Sequence, residues 1–129
     1  QATHRYDVAL DYYNQALAIE RELGSRGDEA TTLHQIGTMY QETHRYDVAL
    51  GCYNQALAIE RELGSRGDEA TTLHQIGMVY EATYRYDEAL DYYNQSLAIE
   101  REQRRSTFAG VTPGKLESIG TAAMAAARN

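Results

Sequence analysis

The sequence repeats itself with a period of 40 residues. That period restricts the chain to architectures made by stacking one small unit on the next. Residues 1–40 match residues 41–80 at 35 of 40 positions, the exceptions being Ala2/Glu42, Asp11/Gly51, Tyr12/Cys52, Thr38/Met78 and Met39/Val79. A third copy starts at Glu81 and runs with more drift to about Glu102, and the period breaks after Gln103. Copies this similar arise by recent duplication or by deliberate design, and the residues are compatible with both.

Each period holds two helical patterns. In the first, from about Arg26 to Thr43, Leu33, Ile36, Gly37 and Tyr40 fall three and four residues apart and share one stripe. In the second, from about Tyr46 to Leu63, the stripe is Ala49, Leu50, Tyr53, Ala56, Leu57 and Leu63. Gly64-Ser65-Arg66-Gly67-Asp68 separates one period from the next. Gly64 suits a left-handed C-terminal cap, and Ser65 with Asp68 resembles a capping box. Inside the period the break Thr43-His44-Arg45-Tyr46-Asp47 is weaker, with no Gly or Pro. Asp47 complements the macrodipole of the helix it opens.

These signals predict an all-α chain of about six helices, near 4–23, 26–43, 46–63, 66–83, 86–104 and 114–127. Arg105 to Pro113 reads as irregular, and Thr112 with Pro113 opens the last helix. That helix echoes the first-type stripe with Leu116, Ile119 and Gly120 but carries Ala123 where the repeat has Tyr40. The division expected is a repeat array over 1–109 (a partial repeat at 1–29, then 30–69 and 70–109) and a C-terminal capping helix over 110–129.

The pattern resembles the tetratricopeptide repeat. Leu33, Ile36-Gly37 and Tyr40 match its first helix, and Ala49, Tyr53 and Ala56 its second. The next copy supplies Leu73, Ile76-Gly77, Tyr80, Ala89, Tyr93 and Ser96. The resemblance covers about residues 4–103. Two features depart from it: the unit is longer than the usual length of about 34, and Arg61-Glu62-Leu63-Gly64-Ser65-Arg66 stands where the family closes its unit with proline. The longer unit is similar to those of kinesin light chains and of bacterial signalling proteins that carry a sensor array beside an ATPase. A period of 40 also suits HEAT-like or WD40 repeats. WD40 needs strands, which are not seen, and the Gly37/Tyr40 and Ala49/Tyr53 pattern favours the tetratricopeptide unit over HEAT. The resemblance implies an α-solenoid of stacked antiparallel helix pairs whose first helices line a concave groove for peptides.

A mid-helix glycine costs about 1 kcal/mol against alanine. Its recurrence at Gly37 and Gly77 therefore points to close approach between helices. The groove residues the resemblance implies are Thr31, His34, Gln35, Thr38, Gln41 and Glu42, and in the next copy Thr71, His74, Gln75, Met78 and Glu81. Gln35 and Gln75 offer a donor and an acceptor to a peptide backbone. His34 and His74 would stack one repeat apart and make the groove pH-sensitive. Relatives that clamp a C-terminal carboxylate use Lys, Arg and Asn on these faces. Here His, Gln, Thr and Met stand there, so a basic or neutral segment is the better guest. Of Tyr12-Tyr13 and Tyr92-Tyr93, one member of each pair should be core and the other partly exposed.

Charge supports the same class. With 19 acidic and 12 basic side chains the net charge is −7, which disfavours nucleic acid and anionic membranes as partners. No apolar run approaches the roughly 20 residues of a membrane span. No targeting signal is read, so a cytoplasmic location is expected. The start, which lacks Met, reads as a fragment or a processed end. Cys52 stands where other copies have Tyr and is read as drift. No copy places two metal ligands four apart on a helix, no phosphate-binding loop is present, and no catalytic set is evident. Neither metal nor cofactor nor enzymatic activity is expected. Arg26-Gly27-Asp28 and Arg66-Gly67-Asp68 spell an adhesion tripeptide, but they fall at helix starts. The expected function is a protein or peptide interaction module. The alternatives are a designed scaffold without a natural partner and head-to-tail self-assembly, since the helix at 4–23 keeps the stripe Ala9, Leu10, Tyr13, Ala16 and Leu17 that a first-type helix should cover. The helix at 114–127 of another copy could supply that cover.

Overall fold

A computed structural model describes residues 2–109 as five helices: α1 (Ala2–Leu23), α2 (Arg26–Glu42), α3 (Tyr46–Leu63), α4 (Arg66–Ala82) and α5 (Tyr86–Ala109). Each helix packs on the next, and α2 with α3 and α4 with α5 form the closest pairs. The result is an α-solenoid in which α2 and α4 are first helices and α1, α3 and α5 are second helices. The expected helix at 114–127 and the capping segment 110–129 lie outside the described residues. One boundary needs correcting. Arg105 to Ala109 continue α5 as helix instead of forming the start of an irregular stretch. No described helix is long and apolar enough to cross a membrane.

The core follows the predicted stripes except at Leu63, which is exposed, and Leu50, which is half-buried. One cluster joins Ala49, Tyr53 and Leu57 of α3 to Ala70, Leu73, Ile76 and Val79 of α4 and Ile99 of α5. A second joins Leu17 of α1 to Ala30, Leu33 and Ile36 of α2 and to Ala56 and Ile59 of α3. Tyr53 is fully buried, and Gly37 is the reason it fits. A Cβ on Gly37 would lie 2.8 Å from Tyr53 Cε1, and one on Gly77 would lie 2.7 Å from Tyr93 Cε1. The recurrent glycine thus admits a tyrosine ring onto the bare helix backbone. The tyrosine pairs divide less cleanly than expected. Tyr12 is exposed and Tyr13 half-buried, whereas Tyr92 and Tyr93 are both half-buried. Tyr92 stacks on Tyr80 with ring centroids 5.4 Å apart, which shields one face of it from solvent.

All four turns between helices use the same cap. After α3, the Gly64 N–H donates to the Arg61 carbonyl and the Ser65 N–H to the Glu60 carbonyl, with Gly64 at φ 68°. This is the two-bond Schellman pattern. The weak break inside the period closes identically but without glycine. His44 and Tyr84 take φ 63° and 65°, and the Arg45 and Arg85 N–H groups donate to the Tyr40 and Tyr80 carbonyls at 2.8 Å. The guanidiniums of Arg45 and Arg85 then lie over the Tyr40 and Tyr80 rings, 5.1 and 4.8 Å from the centroids. These cation–π contacts help hold two side-chain-bearing residues in the left-handed region. The predicted capping box at Ser65 is absent: neither Ser25 nor Ser65 makes a side-chain cap hydrogen bond.

Charged side chains occupy the junction between periods. The buried Glu69 carboxylate accepts from Arg66 at 2.8 Å and from Arg61 at 3.1 Å, and Arg66 reaches on to Glu102. Arg21, Arg26, Glu29 and Glu62 repeat the arrangement one period earlier. The residues that replace the family's proline therefore tie consecutive second helices together through one first-helix carboxylate. Two arginines on one carboxylate satisfy a charge that would otherwise be costly to bury.

Replacing Gly77 with alanine tests the ring-on-backbone packing. Helix propensity alone would stabilise the variant by about 1 kcal/mol. We expect Gly77→Ala to destabilise the fold by about 1–2 kcal/mol, because the methyl must displace the Tyr93 ring. Chemical denaturation followed by circular dichroism reads the sign.

Candidate functional site

The exposed face of the first helices is set by what their other face buries. With Leu33, Ile36 and Gly37 turned into the core, positions 31, 34, 35, 38 and 41 of α2 emerge on the opposite side, and their counterparts do so on α4. Between the two helices lies a cleft of about 290 Å³ lined by residues of α2, α3 and α4 and the turn joining α3 to α4. It brings together Thr31, His34 and Gln35 of α2 and Thr71 of α4. The remaining expected groove residues lie outside this cleft.

Four of them already make side-chain hydrogen bonds. Tyr53 OH donates to Gln41 Oε1 at 2.7 Å and lies 3.1 Å from Thr38 Oγ1. Glu42 accepts from Tyr6 OH of α1 at 3.0 Å. In the next copy Glu81 takes the place of Gln41 and accepts from Tyr93 OH at 3.0 Å. Burial and this bond to a carboxylate push the Tyr93 phenol up to about 12. Thr31 and Thr71 donate back to the carbonyls of Gly27 and Gly67 at 3.1 Å. Gln35, His74 and Met78 are exposed and Gln75 is half-buried. The two histidines do not stack on each other among the described residues. His34 lies against the Tyr53 ring and His74 against the Tyr93 ring, with centroids 5.2 and 5.0 Å apart.

The floor of the cleft holds a residue the sequence reading passed over. Glu60 belongs to α3 and is only 5% exposed. Thr72 Oγ1 donates to its Oε2 at 3.0 Å, while Oε1 has no partner. Burial pushes the Glu60 carboxyl up to about 7. The Thr72 bond opposes the shift, and Asp68 and Glu69 add to it. His34 Nε2 is likewise buried without a partner, and burial holds the imidazole below its ordinary pKa against the pull of Asp68. The Glu60–Thr72 bond has a twin in Glu20–Thr32, also with a carboxylate oxygen left over. The spacing Glu-x11-Thr across the glycine break, repeated once, is the sequence signal that could have found it. Asp68, expected to cap α4, lines this cleft instead. Among the described residues no three His, Cys, Asp or Glu side chains gather into a metal-holding group.

The family profile described as tetratricopeptide repeat matches residues 1–62 and again 28–102. Among solved structures, BtubC (BKLC) from P. vanneervenii superposes with a TM-score of 0.71 at 23% identity, over 87% of this chain and 44% of that one. MamA superposes with a TM-score of 0.65 at 23% identity, over 78% of this chain and 52% of that one. This chain therefore spans about half the length of either. At such identity the likeness concerns the fold. No curated protein matches the sequence.

The Glu60 carboxyl makes a pH prediction. Its proton is held more tightly in the fold than in the unfolded chain, so its contribution to stability is present at low pH and lost as pH rises through about 7. Glu60→Gln should keep the Thr72 bond and remove the ionisation. Its stability advantage over the parent should grow by about 2 kcal/mol between pH 5.5 and 8.5. Thermal melts of both proteins across that window test it. A constant difference would mean that Glu60 titrates normally.

Proposed function

Because the chain belongs to the tetratricopeptide-repeat family, we propose that it is a non-enzymatic interaction module that takes a peptide or protein segment along the face of α2 and α4. The observation that carries this reading is the cleft between the two first helices, where Thr31, His34, Gln35 and Thr71 converge. Thr31, Gln35 and Thr71 are exposed. Gln35 makes no side-chain hydrogen bond among the described residues, which leaves its amide free for a peptide backbone. The net charge of −7 favours a basic or neutral guest.

Peptides selected from a random display library on the parent protein test the reading. The double variant Gln35→Arg/Thr71→Arg places two long side chains across the cleft at exposed positions, where the fold tolerates them. Selected peptides should bind it at least tenfold more weakly, roughly the loss expected from blocking a few hydrogen bonds. Unchanged affinity for every selected peptide would contradict the reading.

A second reading, self-association through α1, draws on one comparison. Ala49, Tyr53 and Ala56 of α3 are buried between two first helices, whereas Ala9, Tyr13 and Ala16 at the same register of α1 are half-buried against α2 alone. A first-type helix of a second copy would complete that core. Molar mass by light scattering over a hundredfold concentration range should then climb, and a constant monomer mass would contradict it.

A further inference from the structure

We propose that the cleft between α2 and α4 is an anchor site for a single lysine side chain of the bound segment, its ammonium held by Glu60, His34 and Asp68. The inference rests on the reading that this face receives a peptide, and adds what one position of that peptide must be.

The argument begins with the two unpartnered atoms. Glu60 Oε1 and His34 Nε2 are both buried without a hydrogen bond, and both residues line the same cleft. Buried polar atoms are nearly always paired, so two orphans on one cavity call for a partner there. The chemistry of the set then selects the guest. A carboxylate accepts, and the imidazole Nε2 accepts in the tautomer that places the proton on Nδ1. Asp68 adds a second carboxylate freed from the capping role its position suggested. No lysine or arginine lines the cleft. The arginines nearest in sequence are committed elsewhere, Arg26 to Glu29 and Glu62, and Arg61 and Arg66 to Glu69. An alkylammonium has three donors and no acceptor, which matches three acceptors with no donor needed in return. The size agrees as well. About 290 Å³ holds one extended side chain and lies at the lower end for a small-molecule site. Ala30 and Leu63 supply apolar wall for the methylenes. Glu60 also gains from the guest, since a cation beside it restores the charge that burial disfavours.

The test is a titration of the labelled full chain with Nα-acetyl-lysine N-methylamide, followed by amide and imidazole chemical shifts. The norleucine and Nε-acetyl-lysine analogues serve as neutral controls. Saturable shifts should centre on Thr31, His34 and Thr71 with the lysine probe and be absent with both controls. Glu60→Gln, whose folding the melts above check, should weaken the probe by about tenfold or more, the loss expected for a charged hydrogen bond. No saturable shift at the cleft, equal shifts from norleucine, or unchanged affinity in Glu60→Gln would each overturn the proposal. The same Glu60→Gln variant separates this failure from failure of the peptide reading. Library peptides that bind both proteins equally and carry no preferred lysine would remove the anchor but leave the peptide face standing. A lysine probe that binds while no peptide docks on α2 and α4 would do the reverse.

Discussion

A tyrosine ring laid on a glycine backbone is the contact on which this array depends. Tyr53 cannot reach its buried position unless Gly37 lacks a side chain, and Tyr93 stands in the same relation to Gly77. The ring fixes how closely each second helix approaches the first helix of its own pair. Its hydroxyl lies at the far end of the ring, against Thr38 and Gln41 in one copy and Glu81 in the next. Core and groove are thus two ends of one side chain. A polar residue of the groove face helps satisfy the one polar atom of the core tyrosine, as a buried phenol requires.

The second constraint lies between repeats, where the family's usual proline is absent. There Glu69 and Glu29 each collect two arginines, and one of the two passes on to a glutamate on the following second helix. The arrangement spends cationic side chains on holding helices together. The cleft above it, lined by Glu60 and Asp68, is left acidic. Stacking and charge selectivity therefore arise from the same short segment around Gly64. The left-handed cap turns the chain there and spends the Ser65 N–H on the Glu60 carbonyl, so the donor a capping box would offer Asp68 is already taken.

Much of the fold was legible in the sequence because periodicity reports one helix face at a time. The stripe of Leu33, Ile36 and Gly37 and that of Ala49, Tyr53 and Ala56 are buried, and the helix ends fall within a residue of expectation for α2, α3 and α4. Gly64 announced its cap. His44 and Tyr84 did not, since neither is the glycine that marks a left-handed cap, and the arginine that follows lies over a tyrosine ring only in the fold. The site was less legible for a related reason. Glu60 reads as one more polar residue on α3, and only the meeting of three helices buries it. Glu69 looks like a helix-start acid until Arg61 closes over it. Thr38 and Gln41 read as groove residues from the family resemblance, but the tyrosine hydroxyl behind them was visible only in three dimensions.

Hydrogen–deuterium exchange of the full chain, with and without a library-selected peptide, locates the contact surface without altering any residue. Protection gained in α2 and α4, around Thr31 to Gln41 and Thr71 to Glu81, with α1 and α5 unchanged, is the result predicted. Protection confined to α1 or α5, with α2 and α4 unaffected, would contradict a binding face built from the first helices.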